Sequence, residues 1–375
     1  MENWQINTLK YLRSLFINTM TTYGFISDIH EDPRIINPLL EALVQKGVEK
    51  LIVNGDIGGN YGSLENSQAY TAFILNEIGK TGLECYVQPG SHETLLGYSP
   101  VIEHFSQKFR NIIDVIKSPK VEQKEHTLVF LPGSDFTCGG EYFIGKDEKI
   151  STGNFVRSEA GILSLFRDWN QYNICMKYGG VSAFHFSNMN DLRSLVTEPE
   201  KTIAICHVPR KFDTVERGVD VAHFYESREY SKGKEEYQSK GVFPAVAFNS
   251  ALAQRDNTPI YRSNTAENDI EAAVKTEMWT RGLDILKILV EQKTNRGNKD
   301  LKQLYEQLGI TKAVSGHFHE SSHRTHDSKG NYIPEKTPTK ELFWNSGHGD
   351  KGLAGLLFVD GEEVCYENVR LEKNG

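Results

Sequence analysis

The 375-residue sequence lacks several features that would assign it to a special class of protein. It has no apolar run of about 18 residues, the length that a membrane-spanning helix needs, so we expect no membrane partner. Its opening residues lack the basic start, continuous apolar block and small-residue cleavage site of a signal peptide. With 38% hydrophobic and 25% charged residues, the chain has the composition of an ordinary globular protein.

Cysteine is scarce, odd in number and widely spaced. Five cysteines occur and none forms a Cys-x-x-Cys pair: Cys85, Cys138, Cys175, Cys206 and Cys365. They therefore indicate neither a disulfide framework nor a zinc ribbon. We expect the protein to lie in the reducing cytoplasm.

An excess of basic charge is also absent. The formal net charge is −8 and the sequence pI is about 5.9, whereas a nucleic-acid-binding domain usually has a pI above about 9. Nucleic acid is therefore a possible partner but not the favoured one. Four basic residues near His207 leave nucleic-acid binding as an alternative: Lys201, Arg210, Lys211 and Arg217.

What the sequence does contain is a series of β-prone runs that end in metal-binding residue types. The first, Tyr23–Ser27, ends in Asp28 and His30, which leave the strand on the same side because side chains alternate along a strand. Four later runs end in the same kinds of residue: Asp56, His92, His207, His317 and His319. Open α/β sheets place their sites at the carboxyl ends of the strands, so the pattern predicts a dinuclear metal site.

The spacing of the first runs indicates α/β connections. The 28 residues from Asp28 to Asp56 suit a strand-helix-strand crossover, which predicts two parallel, adjacent strands. We expect a helix over Leu64–Ile78 and another that begins at Pro100 with Ser99 as its cap. Three terminal runs are predicted to be strands, the last two joined by a hairpin: Leu342–Trp344, Gly355–Val359 and Val364–Leu371.

Two segments fall outside this α/β pattern. Residues 1–20 have apolar spacings that predict an amphipathic helical extension to a domain at 21–375. The hundred or so residues between His207 and Ala313 exceed what a crossover needs, which indicates an inserted segment at about 211–297. Within it, Glu267–Gln292 is predicted to be helical. The insertion is either a cap that selects substrate or a surface elaboration without substrate contact.

At these residues the chain resembles the calcineurin-like metallophosphoesterases. Their ordered pattern is Asp-x-His, Gly-Asp, Gly-Asn-His-Asp/Glu, a lone His and Gly-His-x-His, and it occurs here from Asp28 to His319. Ser91 departs from it, standing where the family has Asn. The resemblance implies an α/β fold, a four-layer α-β-β-α sandwich of two mixed sheets. The Gly316–Ser321 ending and the His207–Val208–Pro209 turn look most like the small cytoplasmic phosphoesterases of bacteria and archaea. The chain departs from two other branches: it lacks the Asp-Arg-Gly of Ser/Thr protein phosphatases after Gly55, and Gly59 stands where purple acid phosphatases have Tyr.

The resemblance also implies which residues do the chemistry. One divalent ion would be bound by Asp28, His30, Asp56 and His319, and the other by Asp56, Ser91, His207 and His317. Two such ions polarise a phosphoryl group and stabilise both the attacking and the leaving oxygen. Manganese is the expected metal, with iron or zinc as alternatives. His92 would be the general acid, with Glu93 or a backbone carbonyl orienting its ring.

The resemblance implies hydrolysis of a phosphodiester or phosphomonoester, and the acidic composition favours a small nucleotide-like substrate. Two alternatives stay open. One is a DNA exonuclease or endonuclease of the same fold, with the insertion as a DNA-contacting cap. The other is a non-catalytic binding protein with a decayed metal site, of which Ser91 would be the first sign. Of the remaining histidines, His223 and His348 stand out by their positions in the insertion and in a Gly-rich loop, but we assign a role to neither.

Overall fold

The computed structural model describes residues 20–135, 141–213, 215–233, 237–244 and 258–372. These residues form two compact units, one with the described residues up to Asp220 and from Gly297 onward, the other with those of Val221–Arg296. The smaller unit falls within the range predicted for the insertion, about 211–297, whose role stays a prediction. The helical extension predicted at 1–20 lies, apart from Met20, outside the described residues.

The first six-stranded sheet of the larger unit carries three of the predicted metal-binding loops. Its strands are β1 (Thr21–Ile26), β2 (Lys50–Asn54), β3 (Glu84–Gln88), β4 (Ile112–Asp114), β19 (Leu353–Asp360) and β20 (Glu363–Arg370). They lie in the order β20-β19-β1-β2-β3-β4. Strands β1 to β4 are parallel to one another. Strand β19 pairs antiparallel with β1, and β20 pairs antiparallel with β19. The prediction that β1 and β2 are parallel neighbours is confirmed.

The second six-stranded sheet carries the other two loops. Its strands are β5 (Lys120–Glu122), β6 (Thr127–Leu131), β11 (Thr202–Cys206), β16 (Lys312–Ser315), β17 (Thr325–His326) and β18 (Leu342–Asn345). Their order is β17-β18-β16-β11-β6-β5, with β6, β11, β16 and β18 parallel. The strand predicted at Leu342–Trp344 therefore belongs to this sheet, whereas the last two predicted strands join the first sheet.

The two sheets pack face to face and are covered by helices. Residues such as Phe25 and Ile52 of the first sheet and Ile205 and Trp344 of the second share one buried cluster. The outer face of the first sheet packs against α1 (Ile36–Gln45), α2 (Leu64–Lys80) and α3 (Leu95–Lys108), and that of the second against α5 (Leu192–Leu195) and α7 (Lys299–Leu308). This is the predicted α-β-β-α sandwich with two mixed sheets, which the structure confirms.

A third sheet in the larger unit was not predicted from the sequence. It consists of β7 (Tyr142–Gly145), β8 (Gly153–Ser158), β9 (Leu163–Phe166) and β10 (Gly180–Asn188), in the order β7-β10-β8-β9. Helix α4 (Trp169–Lys177) connects β9 to β10, and Asp168 caps its start. Short 3-10 helices complete the unit: Pro33–Ile35, Met189–Asp191, Pro199–Lys201, His319–Ser321 and Gly349–Lys351.

In the smaller unit, the described residues form a four-stranded sheet with one helix packed on it. The sheet has the order β13-β12-β15-β14, formed by β12 (Val221–Ser231), β13 (Gln238–Pro244), β14 (Ile260–Tyr261) and β15 (Ile285–Asn295). The helix predicted over Glu267–Gln292 is too long: α6 (Glu267–Arg281) ends at Gly282, which adopts the left-handed conformation that closes helices. Strand β15 follows this helix and pairs along its whole length with β12. It does so because an apolar run beside an open strand edge gains a ladder of hydrogen bonds.

The predicted start of α3 is also wrong. The helix begins at Leu95, where the Thr94 hydroxyl accepts a hydrogen bond from the Gly97 amide, and Pro100 lies inside it. A proline there leaves the carbonyl four residues earlier without its helical donor. That carbonyl, of Leu96, accepts a 2.9 Å hydrogen bond from the Gln68 side chain, which offsets the loss.

Two further observations concern the described residues as a whole. None of the helices that the structure describes is long and apolar enough to cross a bilayer. Cys85, Cys175, Cys206 and Cys365 are free thiols.

Candidate metal centre

The predicted ligands lie at one edge of the sandwich, on loops that leave the carboxyl ends of strands in both sheets. Asp28, Asp56 and Ser91 follow β1, β2 and β3. His207 follows β11, and His317 and His319 follow β16. Residues nearly 300 positions apart in the sequence therefore meet, because parallel strands end at the same edge.

The backbone at this edge is held in an unusual conformation. Of the five non-glycine residues with positive φ in the described chain, three are predicted ligands: Asp28, Asp56 and His317, at 57°, 55° and 68°. The left-handed region costs a residue with a Cβ about 1–3 kcal/mol. Such strain is typical of functional sites, where the surrounding fold maintains a geometry that the local chain would not choose.

A first group of side chains forms around Asp28. His319 Nε2 lies 3.3 Å from Asp28 Oδ1 and 3.3 Å from His30 Nε2. Two ligand atoms that are each about 2.1 Å from one ion, at about a right angle, lie about 3 Å apart. These separations therefore suit binding of a single divalent ion.

A second group forms around Asp56. His207 Nε2 and Ser91 Oγ both lie 2.9 Å from Asp56 Oδ2. The Ser91 hydroxyl is also 3.4 Å from His317 Nδ1, and Asp56, His207 and His317 offer ligand atoms within 4.8 Å of one another. Asp56 also lies within that distance of His30 and His92, so it connects the two groups. All seven predicted ligands converge here, although their roles as ligands stay predictions.

The hydrogen bonding of His207 shows that a cation fits this centre. Its Nδ1 donates to the Asn54 carbonyl oxygen at 2.7 Å, so in the neutral ring Nε2 carries only a lone pair. That lone pair faces the Asp56 carboxylate at 2.9 Å, which places two acceptors against each other. A proton or a bound metal ion on Nε2 resolves the conflict, and a backbone partner on the other ring nitrogen is the usual arrangement of a metal-binding histidine.

The electrostatics of the centre support the same conclusion. The side chains of Asp28 and Asp56 are each 1% exposed. Burial raises the pKa of both, but the neighbouring histidines outweigh burial and hold each pKa below its usual range. Burial alone would lower the pKa of His207, yet the two carboxylates raise it to about 10. Without a metal ion the centre would therefore retain a proton on His207, which a divalent ion would displace.

Glycines allow the loops to approach closely. A Cβ on Gly90 would meet the Asp56 carboxylate and come within 2.9 Å of the His207 ring. A Cβ on Gly316 would lie 2.7 Å from Asp28 Oδ2. The residue before the predicted ligand must therefore be glycine in both motifs, because a larger side chain would have no room.

Glu93 holds the loops rather than the His92 ring. Its buried carboxylate accepts hydrogen bonds from the backbone amides of Asp56, Ile57 and Gly90, at 3.2, 2.5 and 2.6 Å. Burial, together with the nearby charge of Asp56, raises the pKa of Glu93 to about 7. Glu93, one of the two groups expected to orient the His92 ring, instead joins the β2 and β3 loops.

His92 lies at the open side of the centre. Its ring stacks on His30, with centroids 4.2 Å apart and planes 6° apart, and its Nε2 is 4.0 Å from Asp56 Oδ2. Its side chain is 37% exposed, whereas those of His30 and His319 are 11% and 19% exposed. A molecule entering from solvent could therefore contact His92.

Sequence reasoning left two residues of the centre unassigned. His348 stacks on His319 with centroids 3.7 Å apart, and Asp350 accepts 3.0 Å hydrogen bonds from the His30 and Glu31 amides. Both follow β18, and the signal was present in the sequence. An apolar run ending in Gly347, His348 and Gly349 has the same form as the other strand ends.

Comparison with known protein families agrees with this geometry. The family model for calcineurin-like phosphoesterases matches residues 21–209. No curated protein matches the sequence. The solved structure of TT1561 of Thermus thermophilus is similar at 10% identity and a TM-score of 0.46, with 94% of this chain and 100% of that chain covered. A second solved structure matches at 11% identity and a TM-score of 0.45, covering 93% of this chain and 98% of that one. Since the family model spans half of the chain, from β1 to the loop of His207, the chain belongs to the calcineurin-like phosphoesterase family of metal-dependent phosphoester hydrolases.

Proposed function

We propose that the protein uses two divalent metal ions to hydrolyse a phosphodiester or phosphomonoester of a small, nucleotide-like molecule. The observation that carries the proposal is the shared position of Asp56, whose carboxylate lies within reach of both groups of ligands. The first ion would be bound by Asp28, His30, Asp56 and His319, and the second by Asp56, Ser91, His207 and His317. Bound there, the pair would polarise the phosphoryl group and stabilise the charge that develops on its oxygens.

His92 and Glu93 would have the remaining roles in the proposed reaction. His92 would protonate the leaving oxygen, a task that suits an imidazole at neutral pH. Its exposure and its position beside Asp56 support that role, because a proton donor must face the substrate while the ligands are buried. Glu93 would keep the β2 and β3 loops in register through its three backbone hydrogen bonds.

The negative net charge of the protein favours a small substrate over nucleic acid. The chain carries a net charge of −8, and a protein that follows a phosphate backbone usually needs a basic surface. The proposed location is the cytoplasm, which the free thiols of the four cysteines in the described residues support. Manganese is the first metal to test, followed by iron and zinc.

A metal-removal experiment tests the proposal. Protein stripped with a chelator should not hydrolyse an aryl phosphodiester, and activity should return with Mn²⁺. A panel of nucleotides, cyclic nucleotides, phosphomonoesters and DNA then identifies the substrate class. Equal activity without metal would contradict the proposal, and DNA cleavage with a steep salt dependence would replace the small substrate with nucleic acid.

Metal content tests the shared position of Asp56 independently of activity. Wild-type protein should hold about two ions per chain, as dinuclear hydrolases do. Asp56→Ala should lose both ions, whereas His207→Ala should lose one. His104→Ala, which removes an exposed histidine outside the centre, is the control and should lose none. A wild-type content below about one ion per chain would instead indicate a decayed site.

A further inference from the structure

His348 is a buried histidine that the motifs of the family do not include. It lies between β18 and the 3-10 helix Gly349–Lys351, and its side chain is 7% exposed. Its Nε2 has no hydrogen-bond partner among the described residues, and the nearest carboxylate oxygen, Asp350 Oδ2, is 3.8 Å away. A buried polar atom without a partner costs about 1–3 kcal/mol, so its presence calls for a partner that the protein chain does not supply.

The ring lies directly against the first group of ligands. It stacks on His319 at a centroid distance of 3.7 Å with planes 27° apart, and its centroid is 6.2 Å from that of His30. His30, His319 and His348 offer ring nitrogens that all lie within 4.8 Å of one another. Three imidazoles at such separations can bind one ion.

The backbone around His348 is bonded to the loop that delivers Asp28. Gly349 donates to the Ser27 carbonyl oxygen at 2.8 Å, and Asp350 donates to that of Asp28 at 3.1 Å. In return, the Asp350 carboxylate accepts from the amides of His30 and Glu31. These reciprocal bonds fix His348 relative to Asp28 and His30, which is the preorganisation that a metal ligand needs.

We propose that His348 is an additional ligand of the metal ion bound by Asp28, His30, Asp56 and His319. The inference rests on the proposed function, since it assumes that the centre binds metal. With His348 this ion has three imidazoles and two carboxylates, whereas the other has two imidazoles, one carboxylate and a weakly binding hydroxyl. Imidazole-rich sites suit zinc and iron, and carboxylate-rich sites suit manganese. The added imidazole therefore strengthens the binding of zinc and iron at the first position more than that of manganese.

Two variants separate ligation from packing. His348→Ala removes both the ring and its nitrogens, whereas His348→Phe keeps a ring that can stack on His319 and removes only the nitrogens. Chelator-competition titrations of the full chain with Zn²⁺ and Mn²⁺ should show that both variants bind one Zn²⁺ about 10–100-fold more weakly. The loss for Mn²⁺ should be smaller, and the other site should keep its affinity.

The control is His185→Phe, which removes a buried histidine outside both ligand groups. It should leave both affinities unchanged. A further measurement needs no variant: X-ray absorption of wild-type protein loaded with one equivalent of Zn²⁺ should count three imidazoles on the metal.

The outcomes that overturn the inference are distinct from those that overturn the function. If wild-type protein binds no metal, the proposed function fails. If it binds two ions and His348→Phe keeps wild-type affinity, His348 acts by packing and only the inference fails. A third ion per chain, bound through His348 and Asp350, would overturn it as well, as would a count of two imidazoles in wild-type protein.

Discussion

The Ser91 hydroxyl donates a 2.9 Å hydrogen bond to Asp56 Oδ2 and lies 3.4 Å from His317 Nδ1. It therefore occupies the side of the second ligand group where the family has an asparagine. A serine hydroxyl binds a metal ion more weakly than an amide oxygen does, and the serine side chain is one atom shorter than that of asparagine. The second ion should consequently be held more weakly than the first.

Ser91→Asn should strengthen binding of the second ion. The longer side chain brings a carbonyl oxygen toward the ion, and we expect the dissociation constant for Mn²⁺ to fall about tenfold, or about 1.4 kcal/mol. Calorimetric titration with Mn²⁺ measures the change, and the Mn²⁺ concentration needed for activity should fall in parallel. An unchanged Mn²⁺ dependence would mean that Ser91 is not at a ligand position.

His92→Ala should leave both ions bound and slow turnover about 10²-fold or more, the usual scale for the loss of a general acid. The loss should be smaller for a substrate whose leaving group is a weak base, because such a group departs without protonation. Rates for a series of aryl phosphoesters with different leaving groups, together with metal analysis, check both statements. Equal losses across the series would remove the acid role from His92.

Gly90→Ala should weaken the second metal site by at least about tenfold, which corresponds to about 1.4 kcal/mol. The added methyl group would contact the Asp56 carboxylate and the His207 ring and push the β3 loop away from them. Metal titration and thermal melting of the metal-free protein measure the two consequences. Gly82→Ala is the control for metal affinity: Gly82 has open space around it, but its φ of 70° strains an alanine. Its substitution should lower the melting temperature and leave metal affinity unchanged.

Protonation of His185 should destabilise the protein in acid. The Nδ1 atom of this buried ring lies 2.8 Å from Asn154 Oδ1, and burial lowers its pKa from 6.5 to about 4. As the pH falls from 6.5 toward 4, the unfolded chain binds a proton that the folded protein resists, so the free energy of unfolding decreases by up to about 3 kcal/mol.

Urea denaturation at about pH 7 and about pH 4.5 tests this statement. His185→Gln should show a smaller acid-induced loss than wild type. His104→Gln, at an exposed position, should behave as wild type. An equal loss in the His185 variant would show that this ring is not responsible.

Much of the centre could be predicted from local sequence. An apolar run followed by Asp28 and His30, or by His317 and His319, marks a strand end and its ligands, because side-chain alternation acts between near neighbours. The crossover length between Asp28 and Asp56 predicts parallel pairing, which the structure confirms. These features depend on residues that are close together in the sequence, so the sequence alone is enough to predict them.

Other features depend on contacts that the chain order does not encode. Pro100 is tolerated inside a helix because Gln68, on another helix, binds the Leu96 carbonyl, and residues 285–295 form a strand because β12 offers its edge. The role of Glu93 and the position of His348 are likewise settled by backbone bonds between distant loops. The sequence alone determined which residue types stand at each strand end. Only the tertiary structure decided which ends meet, because hydrogen bonds between loops more than 300 residues apart depend on the order of strands in the sheets.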